Sequence, residues 1–341
     1  MSIAIAIVAI GILIALHELG HFWAARLMGM KVERFSVGFF FPILKWTSKK
    51  SGIVYQVGAV PLGGFVQIKG MNPFEEDAFE DPQSYQMKPA WKRAVVILAG
   101  PVANFVIAFG LYFGLGMAGL PEEVDEAGVG NVISGAPAEE AGLLAGDRIL
   151  EVEGEAVSTW GGLVERLQAN PGVEIELLVA RGEERLTVPI TPRDDNGVGR
   201  IGIYQPTRLI HLGPWTAAKA SFNKCVSLIR DTVVGLAGMI AGTEKDVSPV
   251  GPVGIVRMAA AALNTGANHF FSLMAYLSVM LFMFNMFPLP ALDGGRGIFL
   301  LYEVVTRKRV NKKVDAVVNT VGFFLLIGLL LLITFKEIFF G

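Results

Sequence analysis

The chain has 341 residues, of which 52% are hydrophobic and only 18% charged. Soluble domains carry about 25% charged residues, so an ordinary soluble fold is excluded and the apolar surplus calls for a bilayer. A net charge of −2 gives no reason to expect nucleic acid as a partner, and the single cysteine, Cys225, excludes an internal disulfide and a cysteine-rich metal site.

Four apolar stretches, near 2–27, 94–119, 271–301 and 317–335, reach the roughly 20 residues that a helix needs to cross the hydrocarbon. The first has no basic residue ahead of it and no small-residue cleavage site, so it reads as a retained span rather than a signal peptide. Within it lies His17-Glu18-Leu19-Gly20-His21, an H-E-x-x-H pattern. Residues four apart share a helix face, so both imidazoles can bind one metal with Glu18 beside it. Ionisable groups inside an apolar span are costly and tend to be functional. His17 falls about 22 Å along the helix from Ser2, past the bilayer midplane.

Between the first two spans, Ile53–Val57 and Gly64–Ile68 read as short strands broken by Pro61-Leu62-Gly63-Gly64, which fits a hairpin or small sheet within about 31–70. Its apolar character suggests that it dips into the membrane. The 71–90 segment is acidic and reads as a surface connection. Basic residues crowd the loops after the first and third spans (Lys31, Arg34, Lys45, Lys49, Lys50; Arg307, Lys308, Arg309, Lys312, Lys313). Both loops therefore read as cytoplasmic, leaving the two termini and the 120–270 segment outside.

Residues 125–205 change character. Strands are expected near 129–134, 147–153, 173–180 and 184–190, with a helix at 159–169 ended by Asn170-Pro171-Gly172. An amphipathic or interfacial helix follows at 214–241, and Ser248–Gly254 reads as a rigid turn. The third apolar stretch is interrupted by Pro288, Pro290, Gly294 and Gly295 around Asp293. Such a break is tolerated only where protein or a cavity satisfies the freed backbone, and broken membrane helices commonly mark binding sites. Asp293 is thus a better third metal ligand than His211 or His269, which fall in the external part.

Together, H-E-x-x-H and Asn285-x-x-Pro288-x-Pro290-x-Leu292-Asp293-Gly294 resemble the site-two protease family, particularly its bacterial branch with extracytoplasmic PDZ domains. Gly100-Pro101-Val102-Ala103-Asn104 is similar to that family's G-x-x-x-N element. The resemblance implies a polytopic α-helical membrane protein with a four-span core, a membrane β-hairpin and one α+β PDZ domain. The units expected are 1–120 with the first two spans, 121–207 as the PDZ domain, 208–270 as interfacial helix and linker, and 271–341 with the last two spans. It implies Zn2+ held by His17, His21 and Asp293, Glu18 as general base, and substrate contacts from Asn285, Gly64, Phe65 and Val66. Gly199, Arg200, Ile201 and Gly202 would form the peptide-binding loop of the PDZ domain. Gly100 and Asn104 read as packing residues, with Asn104 within reach of the site. The expected substrates are single-pass membrane proteins, of the anti-sigma factor or remnant signal peptide type, already trimmed by another protease. The expected location is the bacterial inner membrane. An inert PDZ adaptor and a metal transporter are the competing readings; a general base does not serve the first, and the PDZ domain and lack of further intramembrane ligands count against the second.

Overall fold

The computed structural model describes residues 1–72, 74, 75, 77–242 and 250–340. In chain order its elements begin with α1 (Ser2–Leu27), β1 (Val32–Thr47), β2 (Val54–Ile68) and α2 (Ala90–Ala118). A run of short elements follows: β3 (Leu120–Glu123), β4 (Asn131–Val132), α3 (Pro137–Glu140), β5 (Arg148–Val152), β6 (Glu155–Ala156) and α4 (Trp160–Gln168). Then come β7 (Ile175–Arg181), β8 (Glu184–Ile190), β9 (Arg193–Asp195), β10 (Val198–Arg200), β11 (Ile203–Tyr204) and β12 (Thr207–Ile210). The chain closes with α5 (Pro214–Ala241), α6 (Pro252–Thr265), α7 (Ala267–Met286), α8 (Asp293–Thr306) and α9 (Lys312–Phe339). Contacts divide it into two units, Met1–Gly116 with Gly213–Gly341, and Met117–Leu212.

In the first unit, α1, α2, α7 and α9 are long and apolar enough to cross a membrane. This is an integral membrane protein. α9 leaves Phe324, Leu325, Leu331 and Leu332 exposed, as a helix facing lipid would. The interrupted third stretch resolves into two helices: α7 stops at Met286, and α8 starts afresh at Asp293.

A small sheet forms here, with β1 and β2 joined as a hairpin through 48–53, although the two runs 53–57 and 64–68 do not pair with each other. β1 and β2 each bend midway, β1 at Gly38 (φ 86°), so two strands make four sheet segments. Residues 34–37 pair with 54–57 at a constant offset (Arg34 with Val54, Val37 with Val57), which is a parallel run. On their other side they pair antiparallel with 64–68 (Val37 with Gly64, Val32 with Ile68). Residues 44–47 return antiparallel along 54–57. The order is therefore 44–47, 54–57, 34–37, 64–68, with Gly64–Ile68 at an edge. Val32 and Ile68 from this sheet are buried with Phe22 and Ala25 of α1, Ile97 of α2 and Leu300 of α8.

The 248–254 reading also changes. Residues 248 and 249 lie outside the described residues, and Pro252 begins α6 rather than a turn. Proline suits the first helical turn because its missing N–H would have no partner there. Carboxylate oxygens of Glu337, near the end of α9, accept from the amides of Gly251 (2.6 Å), Val253 (3.2 Å) and Gly254 (3.1 Å). A carboxylate is the favoured partner for the orphan donors of a helix start.

The second unit holds the sheet β6-β5-β7-β8. Alternate residues of β7, Ile175, Leu177 and Val179, point inward and pack with Ile149 and Val152 of β5 and with Leu163 of α4. Thr159 caps α4 by accepting from the Gly162 amide (3.2 Å). Buried Asp147 takes two hydrogen bonds from Arg181 (2.8 and 2.7 Å). The Arg181 guanidinium holds the Asp147 carboxyl below the usual carboxylate range.

Candidate metal centre

α1 carries His17, Glu18 and His21, and the fresh start of α8 carries Asp293. The four come together although 272 residues separate His21 from Asp293. Asp293 Oδ2 lies 3.2 Å from Nε2 of His17 and 3.2 Å from Nε2 of His21, and the two Nε2 atoms are 3.2 Å apart. Asp293 Oδ2 is nevertheless buried without a hydrogen bond. Three ligand atoms in an equal triangle, one of them an orphan carboxylate oxygen, point at a shared centre rather than at one another. A tetrahedral ion about 2.0 Å from each ligand requires them about 3.3 Å apart, so the donor set fits zinc.

The imidazoles are oriented from behind. His21 Nδ1 donates to the Val96 carbonyl of α2 (2.8 Å), which fixes the tautomer with a bare Nε2. Room for its ring comes from Gly100, where a Cβ would run into the imidazole. One residue on, Pro101 removes a donor from the same stretch of the helix ladder. His17 Nδ1 lies 3.0 Å from the side-chain nitrogen of fully buried Asn104, while Asn104 Oδ1 has no partner. The two ends of a carboxamide exchange on a half-turn. After that turn Oδ1 accepts the Nδ1 proton, the orphan disappears, and His17 also presents a bare Nε2. Ser278 of α7 anchors this turn by donating to the Asn104 carbonyl (2.8 Å). Asn104, read as a packing residue, sits directly behind a candidate ligand.

Asp293 is held by α9. Ala291 stands at φ 68°, a costly angle for a residue with a Cβ, and its amide donates to Asn319 Oδ1 (3.2 Å). Asn319 is itself oriented by Asp315, whose Oδ1 accepts from its side-chain nitrogen (2.7 Å). Gly322 lets the helix approach Pro290, whose Cα lies 3.1 Å from where a Cβ would stand. Nothing in the local sequence around Asn319 or Gly322 marks these roles; each answers to a break some 30 residues away.

Glu18 is half-buried between α1 and the sheet edge. A Cβ at Gly64 would stand 3.1 Å from Glu18 Cγ and 2.8 Å from the Ser36 carbonyl, so glycine is what lets the strand reach the carboxylate. Phe65 and Val66 continue along that edge. Asn285 is not drawn into the group: its side-chain amide donates to Leu281 in its own helix (3.0 Å). His211 and His269 are exposed and remote in sequence from the cluster. In the second unit, Gly199–Gly202 runs from β10 into a turn whose Ile201 and Gly202 carbonyls accept from Ala138 (2.8 Å) and Ile133 (2.9 Å), with Ile201 buried.

The sequence profile of peptidase family M50 matches residues 5–329, nearly the whole chain and every residue of this cluster. The chain belongs to peptidase family M50. A Clostridium perfringens relative whose name includes the words zinc metalloprotease is 36% identical, over 100% of this chain and 99% of its own length. Regulator of sigma-W protease RasP of Bacillus subtilis is 27% identical, over 97% of each chain. Among solved structures, a PDZ domain from Listeria monocytogenes is 24% identical, covering 25% of this chain and 93% of its own, with a TM-score of 0.22. As an M50 peptidase the protein is a zinc metalloprotease of the site-two protease family.

Proposed function

We propose that this metalloprotease cuts peptide bonds inside the membrane segments of single-pass proteins, with His17, His21 and Asp293 holding zinc and Glu18 as general base. The observation that carries this reading is the equal 3.2 Å triangle of donor atoms, two of them on the membrane-spanning α1 and the third at the start of α8, with Glu18 adjacent to it. Zinc supplies the Lewis acidity that acidifies water and polarises a peptide carbonyl. Glu18 takes the proton from water on its carboxylate and passes it to the leaving amine nitrogen. Val96 and Asn104 keep both imidazoles in the tautomer that leaves Nε2 free.

A membrane segment arrives as a helix and must be unwound before hydrolysis. The edge Gly64–Ile68 starts beside Glu18 and offers an unpaired strand to the unwound chain, with Gly64, Phe65 and Val66 nearest the scissile bond. Asn285, released from Leu281, would hold the substrate main chain on the opposite side. The basic loops support a centre toward the cytoplasmic side, with both termini and the Met117–Leu212 unit outside. That unit is read as a PDZ domain whose Gly199–Gly202 loop, with Arg200 and Ile201, receives the new end of a trimmed substrate. Anti-sigma factor type proteins and remnant signal peptides suit this reading, as the name of the Bacillus subtilis relative suggests.

The test is cleavage of a tagged, pre-trimmed single-pass substrate by purified protein in detergent, beside Glu18→Gln. The variant should lose about 10²–10⁴ in rate while binding zinc as the native protein does. Equal product from both would remove Glu18 from the chemistry.

A further inference from the structure

A cavity of about 1100 Å³ lies in the membrane unit, lined by Phe65–Ile68 of the sheet edge, by Arg296, Phe299 and Leu300 of α8, and by Asp315 and Asn319 of α9. It is large enough for several residues of an extended chain. Among the described residues no strand pairs with the outer side of Gly64–Ile68. The basic groups in its wall are mostly engaged. Arg93 is paired with Glu303 and donates to the Lys88 carbonyl (3.0 Å). Arg309 reaches Glu303 (3.5 Å) and the Gln86 carbonyl (2.9 Å), and Lys312 lies over the Phe79 ring (3.8 Å).

Arg296 differs. It is half-buried and lines the cavity, yet its side chain makes no hydrogen bond or ion pair among the described residues. It acts electrostatically on Asp315, whose carboxylate is occupied by Asn319 (2.7 Å), and on the Tyr85 phenol. A half-buried guanidinium without a hydrogen-bond partner has lost part of its hydration and gained no hydrogen bond in exchange, so an incoming acceptor is favoured there. Its position is specific. Arg296 follows Asp293 by three residues, hence on the same face of α8 one turn on, about 4.5 Å along the axis. An extended peptide advances about 3.4 Å per residue, so the rise of one turn together with the reach of the long arginine side chain covers about the second to fourth neighbouring residues of a chain lying on the sheet edge with its scissile bond at the metal centre.

We propose that this cavity is the binding site for the flank of the substrate that leads away from the scissile bond, and that Arg296 selects an acidic side chain two to four residues from that bond. The inference rests on the intramembrane protease reading and adds to it a sequence preference.

The experiment uses the full-length protein in detergent with one tagged single-pass substrate of mapped cleavage position. The residues two to four positions from the bond, on each side in turn, are made Glu, Gln or Lys. Native protein should prefer Glu over Lys by about tenfold in kcat/KM on one side only. Arg296→Glu should reverse the order, Arg296→Lys should keep it, and Arg296→Gln should bring the ratio within about twofold. Because each enzyme is compared with itself across substrates, partial loss of folded protein leaves the ratios intact. Cleavage of all three substrates without charge preference, or a preference that Arg296→Glu leaves unchanged, overturns the inference and leaves the protease reading standing. A preference that follows added anionic lipid instead of Arg296 identifies a headgroup site and also overturns it. Zinc-loaded native protein that cuts none of them, side by side with an equally silent Glu18→Gln, overturns both.

Discussion

Gly100→Ala adds one carbon to a helix that should welcome it. Alanine favours a helix interior over glycine by about 1 kcal/mol, so propensity predicts a slightly firmer α2. The new Cβ would instead stand 2.5 Å from Cε1 of His21 and 2.7 Å from Cδ2. Ordinary carbon contacts are about 3.5 Å, so the ring must retreat by about 1 Å. Metal–ligand distances hold within about 0.2 Å, and the retreat also strains the bond from His21 Nδ1 to Val96. Losing an orienting partner alone costs 10–100-fold in metal affinity. A displaced ligand should reach the upper end, about 100-fold or 2.7 kcal/mol. Zinc affinity by chelator competition on purified protein in detergent measures it. Gly110→Ala and Gly114→Ala are the controls, because a Cβ at either position meets nothing within 4 Å. Should Gly100→Ala bind zinc within threefold of native protein, the close packing of α1 on α2 does not set the position of His21.

Asn104→Ala should weaken zinc by about 10–100-fold through loss of the acceptor for His17, and Asn104→Asp, which keeps an acceptor, should retain more of the affinity; cobalt absorption spectra report the ligand geometry directly. In the second unit, Asp147 has its pKa depressed by the Arg181 hydrogen bonds, so its contribution is complete above the unfolded carboxylate value and lost as pH falls through the lower folded one. Hydrogen exchange of residues 117–212 in the full chain should therefore accelerate progressively below about pH 4, and Asp147→Asn should flatten that dependence.

What the sequence made legible follows from chemistry that demands particular residue types. Two histidines four apart with a glutamate between them, inside an apolar helix, leave few other uses. Asp293 was visible for a similar reason, since prolines and glycines in a membrane stretch announce a break. The supports of the centre had no such signature. Val96 acts through its carbonyl, which every residue owns. Gly100 matters only because the His21 ring stands over it, and Asn319 because Ala291 needs an acceptor. Which strands neighbour one another in the sheet was hidden for a different reason. Local turn signals between 57 and 64 favour pairing those neighbours with each other, whereas the bend at Gly38 inserts 34–37 between them. Pro252 likewise reads as a breaker until its position at a helix start is known.

The centre draws its ligands from opposite ends of the chain, and this has a consequence for biosynthesis. His17, Glu18 and His21 leave the ribosome early, whereas Asp293 follows His17 by 276 residues (293 − 17), and Asn319, which braces its loop, comes later still. At 5–20 residues per second the interval is about 15–55 s. Through that time the nascent protein holds two of the proposed ligands and the proposed base without the third ligand. If the proposed ligand set holds, completion of the last span is the step that arms the protease.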